Sequence, residues 1–302
     1  MSTGNDKSCN RYVVGLGEVL WDILPDGKKL GGAPANFAYH AGQFLDRDCV
    51  IAISALGHDD LADETVNALN RQGLKFLMPR VPYPTGVVNV TLDDNGIPDY
   101  HIQRGVAWDH IPFTPEIQSI AARCRAVCYG SLAQRHEASR ESIHHFLDAT
   151  PDDCLKIFDI NLRQDFYTTE IIKQSIEQCN ILKINDEELD AIRHLFGYGS
   201  SDPNEVCQHL LNDYHLDMLV LTCGTNGSSV FSQGHLSHLE TPQVQVADTV
   251  GAGDSFTGAF CAAILSGKSI PQAHNLAVQV SAYVCTRHGA MPPLPHDLLT
   301  NT

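Results

Sequence analysis

No apolar run in the 302 residues approaches the roughly 20 needed to span a bilayer. The N-terminal stretch, Met1 to Asn10, is polar and has no signal-peptide centre. Basic runs are missing too. With 20 Lys and Arg against 36 Asp and Glu, the formal net charge is -16, which argues against nucleic acid or an anionic membrane as a partner. Nothing completes a zinc set around Cys124 and Cys128, the nearest cysteine pair. The 10 cysteines are scattered from Cys9 to Cys285, largely in apolar contexts such as Ala126-Val127-Cys128-Tyr129. They read as reduced, buried thiols, and a cytoplasmic location is expected. No Walker sequence and no protein-kinase catalytic loop occurs, and Gly15 and Gly17 lack the third glycine of a dinucleotide fingerprint. No linker, repeat or low-complexity segment divides the chain.

What is present is a large apolar fraction, 43%, enough for a sizeable core, in a β-α-β rhythm. Tyr12 to Gly17 reads as a buried first strand, and Leu20 to Leu24 and Lys28 to Leu30 as two strands about the turn Pro25-Asp26-Gly27. A helix is expected over Ala35 to Phe44, a strand over Val50 to Ala55, and a helix over Leu61 to Gln72 with Leu61, Val66 and Leu69 inward and Gly73 closing it. The rhythm breaks at Thr85 to Arg104, a strand, turn and strand about Asp93-Asp94-Asn95-Gly96. It resumes with strands over Ala126 to Tyr129, Lys156 to Arg163, Ile181 to Asn185, Met218 to Thr222 and Ser228 to Phe231. Helices lie at Ala138 to Ala149, Thr168 to Gln178, Asn204 to Asp213 and around Gln272 to Arg287. Val244 and Val246 mark a further alternating segment. The expected architecture is one α/β domain, a parallel-rich sheet covered by helices on both faces, with a β lid from residues 18–30 and 85–108.

Polar or glycine-rich stretches fall at the strand ends, where open parallel sheets bind ligands. Asp22 stands near Gly31-Gly32-Ala33-Pro34-Ala35-Asn36, a glycine-rich helix start that taken alone is equally a turn with proline in the first helical turn. Asn161 and Arg163 end one strand. Asn185 and Glu188 span a strand-to-helix junction, where an acid-rich N-terminus explains Asp186 and Glu187 well and Asn185 less well. In Asp248-Thr249-Val250-Gly251-Ala252-Gly253-Asp254-Ser255-Phe256 the unpaired amides of a first helical turn attract an anion, yet Asp254 puts a carboxylate beside them. Alone, Asp254 also reads as a helix N-cap. Together, an anion hole, a carboxylate base, a divalent-metal environment and a lid point to phosphoryl transfer to a hydroxyl.

The Asp248 to Phe256 stretch resembles the C-terminal signature of the ribokinase-like (PfkB) carbohydrate kinases, and Gly31 to Asn36 resembles their N-terminal one. The similarity extends over essentially the whole chain. It implies a ribokinase-like three-layer α/β/α sandwich, a single kinase domain over residues 10–302. It further implies ATP and Mg²⁺, a small-molecule sugar, and a homodimer through the β lid. By matching position, Asp254 becomes the base and the Gly251, Ala252 and Gly253 amides the hole for the transferring phosphoryl group. Asp22, Gly31, Gly32 and Asn36 grip the sugar, with Arg104 and Arg163 meeting acceptor or phosphate groups. Asn185 and Glu188 match the Asn-x-x-Glu motif that organises Mg²⁺ and its waters. Thr222, Gly224 and Gly227 match the nucleotide-side turn, Asn275 the adenine side, and Asp248, Val250 and Gly289 a K⁺ site whose use varies. Ala62 departs from the family, standing where a glycine is usual. Leu20 and Ala33, in place of the Asn and Lys of ribokinases, make the fructokinase branch the nearer match. The 2-keto-3-deoxygluconate kinases are the runner-up, a nucleoside kinase a further alternative, and a catalytically silent sugar sensor the reading from another class.

Overall fold

A computed structural model describes residues 9–24, 27–92 and 98–300. The first half runs β1 (Tyr12–Leu16), β2 (Leu20–Leu24), β3 (Gly27–Gly31), α1 (Ala33–Ala41), β4 (Val50–Ile53), α2 (Asp60–Gln72), β5 (Lys75–Leu77), β6 (Gly86–Leu92), β7 (Pro98–Ile102), α3 (Pro115–Ala121), β8 (Cys124–Tyr129) and α4 (Glu137–Asp148). The second runs β9 (Leu155–Asp159), α5 (Thr169–Gln178), β10 (Ile181–Asn185), α6 (Asp186–Phe196), α7 (Pro203–Asp213), β11 (Met218–Thr222), β12 (Ser228–Ser232), β13 (His235–Leu239), α8 (Ala252–Leu265), α9 (Ile270–Cys285) and α10 (His296–Thr300).

Nine strands form one sheet in the order β13-β12-β11-β10-β9-β8-β1-β4-β5. All neighbours are parallel except at β11-β12 and β12-β13, where tight turns return the chain antiparallel. Because the central strands are buried on both faces, they are mostly apolar, and period-2 geometry sends alternate residues to opposite layers. Val14, Leu16, Val127, Tyr129, Leu182 and Ile184 pack with α3 to α7 through Ile120, Phe146, Ile176, Ile192 and Leu210. Val13, Ala126, Cys128, Ile181 and Val220 pack with α1, α2, α8 and α9 through Phe37, Leu69, Phe260 and Ala277. The three-layer α/β/α sandwich follows from that division.

A second, four-stranded sheet has the order β3-β2-β6-β7. Its two sequence-distant hairpins join through the parallel pairing of Leu20, Trp21, Asp22 and Ile23 with Gly86, Val87, Val88 and Asn89. The turns expected at Pro25-Asp26 and Asp93 to Gly96 lie wholly or partly outside the described residues. Gly86 is required at the junction, since a Cβ there would collide with the Trp108 indole.

Several expectations need correction. The first helix begins at Ala33, earlier than expected, because Pro34 suits the first helical turn, and it ends at Ala41, short of Phe44, where Gly42 caps it and the chain continues in i→i−3 turns. On α2 the buried side chains are Ala62, Thr65 and Leu69, while Leu61 and Val66 are half-buried. Ala62, which stands where the family usually has glycine, packs in the core, its N–H donating to the Asp59 cap. Val244 and Val246 belong to no strand and stand exposed. The short elements β5, α3 and β13 went unanticipated. The thiols are not all reduced either: Cys9 and Cys49 form a disulfide across a sequence separation of 40, with Cα atoms 5.4 Å apart. Their segments lead into β1 and β4, which lie side by side. Cys124, Cys128, Cys154, Cys179, Cys207 and Cys261 are buried free thiols, as expected. No helix among the described residues is long and apolar enough to cross a membrane.

Candidate active site

Because β1, β8, β9, β10 and β11 are parallel, their C-terminal ends share one edge, and the polar residues that follow them are brought together there. Asn185 and Thr222 are register partners on β10 and β11. Beyond this edge stand the N-termini of α1 and α8. Gly258 of α8 lies against the backbone of α1, where an added Cβ would fall 2.8 Å from the Phe37 carbonyl oxygen. That close approach lets Asn36 Nδ2 donate to Asp254 Oδ2 at 2.7 Å.

Asp254 is in the first turn of α8 but does not cap it; Gly251, in the left-handed region at φ 78°, is the N-cap. A side chain at Gly251 would have its Cβ 2.8 Å from Ala290, so both conformation and space demand glycine. Ala290 is itself held by buried His40, whose Nε2 lies 2.8 Å from the Ala290 carbonyl oxygen. Burial pushes the His40 pKa down to about 4, so the ring is neutral and donates Nε2–H. Of the expected anion hole, Ala252 N–H is already committed to the Thr249 carbonyl at 3.2 Å. Among the described residues the Gly251 and Gly253 amides make no such bond and remain for an incoming anion.

Asp254 exposes part of its surface but is hemmed in by protein. Its pKa is raised to about 6 by burial and then by the Asp159 charge, against the Asn36 hydrogen bond, Lys183 and Arg163. Asp159 and Lys183 form a buried ion pair of 2.8 Å, cross-strand partners on β9 and β10. Thr257 of α8 donates to the other Asp159 oxygen at 3.0 Å, and the Lys183 ammonium lies beneath Gly253, 3.3 Å from where a Cβ would stand. Burial alone would lower the Lys183 pKa, but Asp159, Glu188 and Asp254 raise it, so the ammonium is charged. This pair was missed in the sequence reading. Its signal was a charged residue interrupting each of two apolar strands, which is uncommon without a partner.

Asp22 on β2 lies over Gly31, its Oδ2 3.1 Å from where a Gly31 Cβ would be. Burial raises its pKa while Lys29, its register partner, lowers it. Gly32 caps α1 at φ 124°, and a Cβ there would strike the Glu18 carbonyl oxygen. Asp22, Gly31, Gly32, Asn36 and Asp254 thus form a connected group of contacts. Arg104 and Arg163 do not join it by direct contact. Arg104 is exposed, 3.4 Å from Asp165, with its guanidinium over the Phe166 ring at 4.5 Å. Arg163 is exposed and bonds the Leu162 carbonyl, and only its charge reaches Asp254 and Glu18.

Asn185 and Glu188 form a reciprocal capping box on α6: Glu188 N–H donates to Asn185 Oδ1 at 2.8 Å, and Asn185 N–H to Glu188 Oε2 at 3.0 Å. The capping box gives Asn185 a structural role at this junction, which an acid preference of the helix N-terminus does not. The second Glu188 oxygen accepts the Leu162 amide at 3.0 Å. No group of three or more His, Cys, Asp or Glu suited to a metal ion occurs among the described residues. The hard oxygen donors of Asn185 and Glu188 fit Mg²⁺ through water, not an all-protein cage.

Thr222 ends β11, Gly224 opens a short 3-10 helix at φ 54°, and Gly227 closes it at φ 93°. Thr241 braces this turn, donating to the Gly224 carbonyl at 2.6 Å and accepting the Gly227 amide at 3.1 Å. Asn275 is exposed on α9, next to His274, which meets Ser228 Oγ at 2.8 Å just beyond Gly227. Asp248 accepts the Val250 and Gly289 amides, both at 3.1 Å, and faces the Lys29 ammonium at 4.0 Å. These contacts bring Asp248, Val250 and Gly289 together. A shallow groove of about 500 Å³ lined by Phe196, Tyr198 and Tyr214 contains none of these residues.

An open, mostly parallel sheet with glycine-rich helix starts and a carboxylate at one edge has the layout of α/β proteins that bind ligands at the C-terminal ends of their strands. The sequence matches the pfkB family carbohydrate kinase model over residues 23–297, and the chain belongs to that family. It is 27% identical over 327 residues to the probable fructokinase-2 of Arabidopsis thaliana, covering 98% of this chain and 95% of the relative. It is 25% identical over 301 residues to the ATP-dependent 6-phosphofructokinase of Thermoanaerobacterium thermosaccharolyticum, covering 94% and 90%. The structure of a fructokinase from Xylella fastidiosa with bound ATP superimposes with a TM-score of 0.81 at 20% identity over 97% of this chain and 98% of that one. The ribokinase-like fold is therefore that of this protein.

Proposed function

We propose that the protein transfers the γ-phosphoryl group of ATP to the primary hydroxyl of a ketose, fructose to fructose 6-phosphate. The observation that carries this reading is Asp254, its pKa raised to about 6, tethered by Asn36 beside the Gly251 and Gly253 amides. The second sheet serves as a lid over the acceptor. Asp254 takes the proton of the attacking hydroxyl while that oxygen bonds the γ-phosphorus and ADP leaves. The Gly251 and Gly253 amides meet charge on the phosphoryl oxygens. Glu188 and Asn185 would hold the waters of Mg²⁺, which would supply charge neutralisation at the triphosphate. Thr222, Gly224, Gly227 and Asn275 form the nucleotide side. An unphosphorylated acceptor is favoured over a sugar phosphate because Asp22, Glu18 and Asp254 put carboxyl groups around its site, while Arg104 is engaged with Asp165.

The test is ADP release over a panel of fructose, 2-keto-3-deoxygluconate, fructose 6-phosphate, ribose and adenosine, with and without K⁺. Fructose is expected to give the highest kcat/KM. Faster turnover of another acceptor would reassign the substrate, and silence on all of them would leave a sensor. Asp22→Ala is expected to raise the fructose KM by about 10- to 100-fold, the loss of a charged hydrogen-bonding partner, with the ATP KM unchanged. An unaltered fructose KM would move the acceptor site elsewhere.

A further inference from the structure

Glu18 follows β1 at the same edge and is 3% exposed, yet its Oε2 is buried without a hydrogen-bond partner. Asn36, also 3% exposed, donates through Nδ2 to Asp254 but leaves Oδ1 buried and unpartnered. Most buried polar atoms find partners, so two orphaned oxygens at this edge are two hydrogen-bonding positions left for a ligand. They belong to one locality, since Gly32, which opens the helix carrying Asn36, touches the Glu18 carbonyl.

We propose that Glu18 is an acceptor-binding residue, its carboxyl holding a second hydroxyl of the sugar whose primary hydroxyl Asp254 deprotonates. The inference rests on the kinase reading of this site and adds a determinant of its substrate class: a neutral acceptor with several hydroxyls. Burial, with the Asp254 charge adding to it, raises the Glu18 pKa to about 7, while its own amide, the Ala33 amide and Arg163 pull down. Near neutral pH the carboxyl therefore either accepts a hydrogen bond or donates one, which suits a hydroxyl. The two amides do not satisfy the whole carboxyl, since Oε2 keeps no partner.

The experiment measures fructose and ATP KM separately for the wild type, Glu18→Ala and Glu18→Gln, and repeats the fructose series with monodeoxy analogues. Glu18→Ala is expected to raise the fructose KM by about 10- to 100-fold, the loss of one hydrogen bond to a charged or acidic group, with ATP KM and melting temperature unchanged. Glu18→Gln, which keeps an oxygen and the side-chain length, is expected to recover most of that loss. One deoxy analogue should cost the wild type a similar factor and the Ala variant nothing. An unchanged fructose KM in Glu18→Ala, or equal rises in both KM values with a lower melting temperature, overturns the assignment. Should the Ala variant fail to fold, Glu18→Asp carries the test with the same sugar-selective rise expected and an unchanged KM overturning it. Wild-type silence on every sugar refutes the kinase reading and Glu18's role together, whereas an active wild type with an unaffected variant refutes only the latter.

Discussion

Asp254→Asn is expected to lower kcat by about 10²- to 10⁴-fold, the usual contribution of a positioned general base, with little change in fructose KM. Asparagine keeps the shape and an oxygen for Asn36 but cannot take the hydroxyl proton. The wild-type rate should also report the base directly. Its pKa is about 6 and its reactive form is the carboxylate, so kcat is expected to fall about tenfold per pH unit below 6 and to level off above. The Asn variant should lose that limb. Stability moves the other way. A folded pKa above the ordinary 3.8 gives a contribution that is full below 3.8 and lost as pH rises through about 6. At neutral pH the charged form therefore weighs against the fold, and the Asn variant should melt no lower than the wild type. Full turnover by Asp254→Asn would remove the base, and a large fall in melting temperature would recast Asp254 as structural.

Lys183→Met is expected to destabilise the fold by about 3–5 kcal/mol, because it leaves Asp159 buried with no cation. Among the described residues Thr257 would be its one remaining hydrogen-bond partner, at 3.0 Å. The double variant Lys183→Met/Asp159→Leu should regain most of the loss, since removing both charges abolishes the desolvation cost along with the attraction. Thr257 would then still bond the Gly253 carbonyl at 3.0 Å. Urea unfolding of the two variants measures this. A single variant within about 1 kcal/mol of the wild type would mean the pair is replaceable by packing alone.

The two glycine-rich helix starts were legible because their demands are local. Gly251 needs a left-handed backbone and Gly32 a close approach, and each sits in a recognisable run of residues. Short apolar runs likewise announced β1, β8, β10 and β11, which are buried on both faces. Short elements escaped: β5 has only three residues and β13 exposes most of its polar ones, so neither carries much pattern. Val244 and Val246 alternated without forming a strand, since alternation alone supplies no partner for the backbone. Asn185 and Glu188 were legible as a pair, but a capping box and a metal-water site ask for the same residue types, so only the fold shows that the two cap α6 reciprocally.

The sequence by itself determined the α/β class, the carbohydrate kinase family and the identity of the residues at the sheet edge, because periodicity, glycine turns and motif spacing are properties of neighbouring residues. Tertiary structure alone decided which distant groups meet. Parallel pairing of β9 with β10 made Asp159 and Lys183 a buried pair, and pairing of β1 with β4 brought Cys9 to Cys49. The packing of α1 on α8 put Asn36 on Asp254, and the depth of the β1 end left Glu18 with an unpaired oxygen. Burial and through-space charge arise from that assembly, so the raised pKa of Asp254 could be read only from the folded chain.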